Sequence, residues 1–443
     1  MKTILRQALC LRIGRTCCIK TSAFNYMSTT VTGQKSLSEN VEILGKTYKK
    51  DEFTNVTKNI LQKLDRNLHN QHCHPLNLIR KRIEMFFYRN YLNKWRSQIF
   101  SVYDSLSPVV TVEQNFDSLL VPVDHVCRSV SDNYYINRKH LLRAHTSAHQ
   151  RDLVKSGLDA FLVVGDVYRR DTIDASHYPV FHQMEGVRLF TSNELYGLLG
   201  MHRLPQQFLI LEDGGARTKQ KQSQHRPETA KLLELNLKST LEKLAYHLFG
   251  NEIEVQWVDA YFPFTHPSWE LEIKFHGEWL EVLGCGVMEQ EILDEAGALG
   301  KVGWAFGLGL ERLAMKLYNI PDIRLFWSQD PGFLRQFEVE DPQTSIEFKP
   351  FSKCSPCTND ISFWIPENYS ENDFYDMVRN IGGDLVESVS KFDEFLHPKE
   401  QRTSHAYRIV YRHMERPLSQ EEVNVIHEKI EKTVTDKLGV EIR

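Results

Sequence analysis

Phe161-Leu-Val-Val-Gly-Asp-Val-Tyr-Arg169 and Phe181-His-Gln-Met-Glu-Gly-Val-Arg-Leu-Phe190 are two apolar runs flanking a polar segment that contains Pro179. Runs of this length, rich in Val, Phe and Tyr, predict an antiparallel hairpin with a long loop. Side chains alternate across a strand, so Gln183 and Glu185 share one face of the second strand, while Arg169 lies near the end of the first. One sheet face then presents a cation, an amide and a carboxylate. A guanidinium is a planar bidentate donor suited to phosphate, and a fixed carboxylate can hold an ammonium group, so such a face could clamp ATP next to an amino acid. From these three residues alone, a solvated cross-strand ion pair is the competing reading.

The segment Gly303-Trp-Ala-Phe-Gly-Leu-Gly-Leu-Glu-Arg312 shifts the weight toward a phosphate site. A short strand passes through two glycines into a helix whose Leu310, Leu313, Ala314 and Leu317 form a stripe at helical spacing. Arg312 lies off that stripe, in the first turns, where backbone N–H groups and the helix dipole favour anions. The glycine spacing is not Gly-x-Gly-x-x-Gly, and no Gly-x-x-x-x-Gly-Lys-Ser/Thr loop occurs, so Rossmann and P-loop readings are excluded.

Outward from these two segments the chain alternates strands and helices. After His74-Pro75, the residues Leu76, Ile79, Ile83, Phe86 and Phe87 predict a helix. Strands are expected at Phe100–Tyr103, Pro108–Glu113 and Asn115–Pro122. A helix follows around 228–249, and then strands Ile253–Val258, Trp269–Phe275 and Trp279–Leu283. This is an antiparallel core with helices, hence α+β. Asp330-Pro-Gly, Asp341-Pro and Lys349-Pro mark a boundary. Beyond it the order strand (361–365), helix (371–381), strands (384–392 and 404–412), helix (419–438) and a last short strand (439–442) is the split β-α-β pattern of ferredoxin-like domains.

With 443 residues, 41% hydrophobic and 25% charged, the chain is globular in composition and long enough for two or three domains. A net charge of −4 means that any RNA contact comes from local patches. The eight cysteines are scattered and fit a reducing compartment. Cys354-Ser-Pro-Cys357 has no second ligand pair at zinc spacing and reads as two thiols in a linker. Before Glu39 the chain has no acidic residue but carries Lys2, Arg6, Arg12, Arg15, Lys20 and Lys35, with Leu5, Leu9 and Ile13 at helical spacing. That is the profile of a mitochondrial presequence. No stretch approaches the roughly 20 apolar residues of a membrane span.

Gly165-Asp-Val-Tyr-Arg-Arg-Asp171 with Phe181-His-Gln-Met-Glu185 resembles motif 2 of class II aminoacyl-tRNA synthetases, and Gly307-Leu-Gly-Leu-Glu-Arg312 resembles motif 3. Arg143-Ala-His-Thr-Ser-Ala-His149, Tyr261-Phe-Pro-Phe-Thr-His-Pro267 and Glu281-Val-Leu-Gly-Cys-Gly286 are similar to the amino-acid pocket of phenylalanyl-tRNA synthetases. From Phe348-Lys-Pro-Phe onward the tail resembles the ferredoxin-fold anticodon-binding domain of the single-chain mitochondrial form. The resemblance covers nearly everything after residue 75. In one place the chain departs from it: where relatives read His-Pro before a small residue and Arg, this chain has His125-Val-Cys-Arg128.

The resemblance implies ATP and L-phenylalanine as substrates, Mg2+ as cofactor, tRNA(Phe) as partner, no membrane, a monomer and the mitochondrial matrix. It implies Arg169 and Arg312 as the catalytic arginines, on the α- and γ-phosphates. Phenylalanine would be held by His145, Ser147, Ala148, His149, Gln150, Gln183, Glu185, Phe262, Phe264 and Cys285. ATP would meet Arg169, Ser176, His177, Tyr178, Gln183, Met184, Glu185, Glu281, Phe306 and Arg312, with Glu281 facing the magnesium. The Gly284-Cys-Gly286 segment is expected as a turn at the pocket floor, with Cys285 bearing on tyrosine rejection. Lys399, Arg402, Arg408 and Arg412 would touch tRNA, the last two from one strand face. Bland readings stand beside these: Ser147 as a helix cap, Phe262 and Phe264 as core aromatics. The domains expected are a presequence (1–28), a linker (29–50), the catalytic domain (51–340) and the anticodon-binding domain (341–443). A synthetase-like paralogue that binds RNA without catalysis is the alternative; the presence of Arg169, Glu185 and Arg312 speaks against it.

Overall fold

A computed structural model describes residues 39–198, 209–350 and 354–443; the expected presequence lies outside them. The hairpin forms as the sequence predicts. Its strands, β2 (Ala160–Tyr168) and β3 (Val180–Phe190), pair antiparallel with Val163 opposite Glu185. They lie within a seven-stranded sheet completed by β1 (Ser101–Tyr103), β4 (Glu254–Phe262), β5 (Thr265–Phe275), β6 (Glu278–Met288) and β7 (Val302–Gly309). The order is β1-β2-β3-β7-β6-β5-β4, antiparallel except for β1 beside β2.

The two faces of this sheet differ because its strands alternate. On one face Leu162, Met184, Phe306, Cys285 and Trp269 join the main core. That core is closed by helices α1 (Pro75–Asn90), α2 (Pro227–Phe249) and α3 (Leu310–Tyr318). Pro75 opens α1 with its fixed φ, and the His74 ring accepts the Leu76 N–H at 3.2 Å as cap. Phe87 of α1 then stacks on Phe306, 5.7 Å between centroids, where Gly186 leaves no Cβ in the way. The other face is apolar only over its lower half, where Phe161, Val163, Val187 and Ala305 meet Leu153, Ile292 and Leu293. Its upper half carries the polar residues.

Two local expectations are corrected. The segment 115–122 is not a strand: a capping box between Thr111 and Gln114 starts a helical turn at Val112, and a 3-10 turn follows at Asp117–Leu119. Part of the expected linker is ordered, since Asn40–Ile43 and Lys46–Lys49 pair as a hairpin that buries Ile43 in the main core. Among the described residues no helix is long and apolar enough to cross a membrane.

The second domain pairs β8 (Cys357–Trp364), β9 (Val386–Leu396), β10 (Thr403–Tyr411) and β11 (Glu441–Ile442) in the order β9-β10-β8-β11. Helices α4 (Glu371–Gly382) and α5 (Gln420–Leu438) cover one face through Phe374, Val378, Val423 and Ile430. Residues 341–350, assigned above to this domain, pack instead on the first core through Phe348. Arg82 of α1 holds the Thr344 carbonyl there at 2.7 Å.

The loop between β2 and β3 is gripped by the second domain. Ile173 enters that domain's core, its carbonyl accepts the Val389 N–H at 2.9 Å, and Arg379 donates to the carbonyls of Asp171 and Thr172. Beside it, Arg170 pairs with Asp373 at 2.8 Å and Asp376 at 3.3 Å, and Asp376 accepts the Tyr134 hydroxyl at 2.9 Å.

Candidate active site

Glu185 sits at the centre of the polar half-face. Its Oε2 accepts the hydroxyls of Ser147 at 2.6 Å and Thr146 at 3.2 Å, and its Oε1 accepts the Gln150 amide. Burial pushes its carboxyl up to about 7, against the pull of those donors. The shift states the chemistry: the carboxylate is fixed and dehydrated but has no cation, so an ammonium ligand would bring the missing charge. Gln183, two residues away on the same face, accepts the Thr146 N–H at 3.3 Å. Ser147 is therefore a ligand of Glu185 and not a helix cap; the following helix, Gln150–Lys155, has no side-chain cap.

The rest of the 143–149 segment is locked from behind. Arg143, fully buried, donates through Nε to the Asp166 carbonyl at 2.7 Å, through Nη2 to the Asp166 carboxylate at 2.7 Å, and through Nη1 to the Leu106 carbonyl at 3.1 Å. It also meets His149 Nε2 at 2.9 Å. Burial and this guanidinium depress His149 to about 3, so His149 is a neutral acceptor. His145 is likewise pushed down to about 3, by burial and then by Arg169. Its ring lies 6.4 Å from that of Phe264. Ala148 packs among Leu119, Leu141 and Tyr135 and serves as a wall.

Phe262 ends β4 and Phe264 lies in the turn to β5, their rings parallel with centroids 5.9 Å apart. The end of the Phe262 ring comes close to the sheet because Gly284 has no side chain: a Cβ there would stand 2.8 Å from the ring tip. Thus Gly284-Cys-Gly286 is not a turn but the middle of β6, and the alternation that turns both glycines to the site turns Cys285 away. Cys285 lies in the main core, paired laterally with Phe306, and burial raises its thiol well above the ordinary range. By the same alternation the Met184 and Phe306 side chains point to the core, so their backbones alone face the polar half-face.

Gly307 and Gly309 stand opposite Glu185 and Gln183 on β7, and a Cβ on either would meet nothing within 4 Å. They leave a flat floor beside the polar residues. Around it, Arg169 is half-buried against the Phe181 ring at 5.2 Å, with Nε donating to the Ala144 carbonyl at 2.8 Å. It lies within electrostatic reach of Arg312 and Glu281. Arg312, in the first turn of α3, pairs with Glu281 at 3.3 Å. Glu270, on the neighbouring strand, is raised to about 6 by burial and by Glu281 and Glu272. Sequence reasoning singles out neither Thr146 nor Glu270, although Thr146 lies inside the quoted 143–149 segment and Glu270 shares its strand face with Glu272.

In the β2–β3 loop, Ser176 and His177 are folded over Asp174, whose carboxylate takes the Ser176 hydroxyl at 2.8 Å and His177 Nδ1 at 2.7 Å. Tyr178 turns its side chain the other way: it stacks on Trp327 and donates to Asp384 of the second domain at 2.6 Å. In that domain Lys399 is exposed, and Arg402 pairs with Glu441 at 2.6 Å over the Trp364 ring. Arg408 is bidentate to Asp360 at 2.8 Å. β10 ends at Tyr411, so Arg412 does not share its face; its N–H goes to the Leu385 carbonyl and its side chain to Glu387.

Comparisons with known proteins place both domains in families. The family "tRNA synthetases class II core domain (F)" matches residues 58–210 and 231–337, and "Ferredoxin-fold anticodon binding domain" matches 352–443. The mitochondrial phenylalanine–tRNA ligase of Mus musculus is 60% identical over 91% of this chain and 89% of its own length. The probable mitochondrial phenylalanine–tRNA ligase of Drosophila melanogaster is 52% identical over 91% and 92%. The mitochondrial phenylalanine–tRNA ligase of Saccharomyces cerevisiae is 39% identical over 91% and 95%. Matched along both domains, the chain belongs to the class II aminoacyl-tRNA synthetases, in the mitochondrial phenylalanine–tRNA ligase family.

Proposed function

We propose that this chain activates L-phenylalanine with ATP and esterifies it to the 3′-terminal adenosine of tRNA(Phe), as a monomer in the mitochondrial matrix. The observation that carries the reading is Glu185: a carboxylate sealed by three donors, with no cation, on the strand that also brings Gln183 to the site. Its place is the substrate ammonium. The substrate ring lies beside Phe262 and Phe264, whose faces offer a para-hydroxyl no acceptor, and this disfavours tyrosine.

The substrate carboxylate, turned toward Arg169, attacks the α-phosphorus of ATP; the bond to the bridging oxygen breaks and pyrophosphate leaves. A ribose hydroxyl of the terminal adenosine then attacks the adenylate carbonyl and AMP departs. No covalent enzyme intermediate is needed, so positioning and charge neutralisation supply the rate. Arg169 neutralises the α-phosphate, Arg312 takes the γ-phosphate, and Gly307 and Gly309 let a flat base approach the sheet. Ser176 and His177 border the nucleotide. Glu281 and Glu270 are hard oxygen donors, and the Glu270 carboxyl is raised by burial and then by the neighbouring Glu281 and Glu272 charges, an acidic pair that fits Mg2+. When bound, that ion would screen the triphosphate.

For tRNA, the exposed Lys399 and the Arg402 guanidinium over Trp364 are the proposed contacts. Arg408 and Arg412 reach RNA only by leaving their carboxylates. The test is amino-acid-dependent ATP–pyrophosphate exchange on protein lacking residues 1–28. Exchange with phenylalanine and little with tyrosine is expected; folded protein silent with every amino acid would leave the RNA-binding paralogue as the reading.

A further inference from the structure

Glu311 lies in the first turn of α3, buried and one residue before Arg312, and the activation chemistry does not use its charge. The β3–β7 ladder ends at the pair Gln183–Gly309, because there the chain leaves the sheet for α3. His182, the next residue along β3, has no β7 residue opposite it. Glu311 takes that place. Its Oε2 accepts the His182 backbone N–H at 2.8 Å, and its Oε1 accepts the His182 ring Nδ1–H at 2.7 Å.

Both side chains are buried, His182 at 1% exposure and Glu311 at 2%. A buried carboxylate needs donors, and two from one residue hold it in a single orientation. The imidazole is in turn seated against His69, 5.3 Å between centroids, and Trp327 at 6.2 Å. The tie therefore joins β3 rigidly to the start of α3. The phosphate-handling residues lie one position away on each side. Phe181 carries the Arg169 guanidinium on its ring, Gln183 faces the substrate, and Arg312 follows Glu311. Glu185 is held separately, by Ser147, Thr146 and Gln150.

We propose that the Glu311–His182 pair is a positioning device that sets Arg312 against Arg169. It acts on ATP binding and on the adenylation step while leaving phenylalanine recognition alone. This rests on the activation function proposed above.

Glu311→Gln leaves one oxygen for two donors. It is expected to raise the KM for ATP about tenfold and lower the exchange kcat about tenfold, with the KM for phenylalanine within about twofold and an unchanged melting profile. His182→Asn can present an amide N–H near the position of ring Nδ1, so it should recover most of the rate lost in His182→Ala. The idea is overturned if folded Glu311→Gln or His182→Ala protein keeps the parent KM and kcat for ATP. It is also overturned if KM rises equally for ATP and phenylalanine, the mark of a general packing role, or if His182→Asn is as impaired as His182→Ala. Should Glu311→Gln not fold, the two His182 variants decide by the same split. Parent protein assayed alongside separates the two levels: without phenylalanine-dependent exchange the functional reading fails, whereas active parent with unaffected variants removes only this inference.

Discussion

Glu185 and Glu281 stand on the same face of one sheet, yet the protein treats their charges in opposite ways. Glu185 is sealed, with its oxygens occupied by hydroxyl and amide donors and its carboxyl raised to about 7. Glu281 is partly exposed and pairs with the more exposed Arg312 at 3.3 Å, a contact water and salt can replace. A sealed carboxylate without a cation is costly unless a ligand completes it, which suits the proposed ammonium site: one charge in one place. At the proposed phosphate end several charges would move as pyrophosphate leaves, and an exchangeable ion pair suits that task.

The largest effect is expected from Glu185→Gln. Removing the only charge that meets the ammonium should lower kcat/KM for phenylalanine in pyrophosphate exchange by about a thousandfold. The fold should survive, since the ionised form is already disfavoured in the free protein. Arg312→Ala should come next, at about a hundredfold in exchange kcat. It would break the comparison if it weakened phenylalanine binding, measured calorimetrically, as much as ATP binding.

A pH series sharpens the contrast. The Glu185 carboxyl is raised in the folded state, so its contribution to stability is full below about 4.5 and is lost as pH rises through about 7. Ligand binding runs the other way. The ammonium needs the ionised form, so phenylalanine affinity should fall up to about tenfold per pH unit below 7, while Glu185→Gln flattens the profile. The smallest effect belongs to the opposite face: Cys285→Ala should cost about 1 kcal/mol in a melting experiment and leave the phenylalanine-to-tyrosine exchange ratio unchanged. A shifted ratio would return Cys285 to the pocket.

Much of the site is legible in the sequence because its residues lie close together on regular elements. Gln183 and Glu185 on one strand and the glycines running into α3 can be picked out from residue type and spacing, whereas the His145–Gln150 segment is found through the family resemblance. Sequence reasoning errs where register matters. Cys285, Met184 and Phe306 each sit one residue from Gly284, Glu185 and Gly307, and a strand turns the side chains of such neighbours to the opposite face. The 115–122 segment has strand-like composition, but the Thr111–Gln114 capping box makes it helical. The direction of the Tyr178 side chain is set by a partner 206 residues along the chain, Asp384.

By itself the sequence determined the two-domain order, the α+β class, the hairpin and the polar residues that give the site its chemistry, because these follow from local periodicity and side-chain type. Only the tertiary structure decided which carboxylate is sealed and which is open. It alone decided that Glu311 replaces a missing strand partner for His182 and that the second domain grips the β2–β3 loop. Burial and long-range hydrogen bonding depend on what the rest of the chain places against a residue, and no local pattern encodes that.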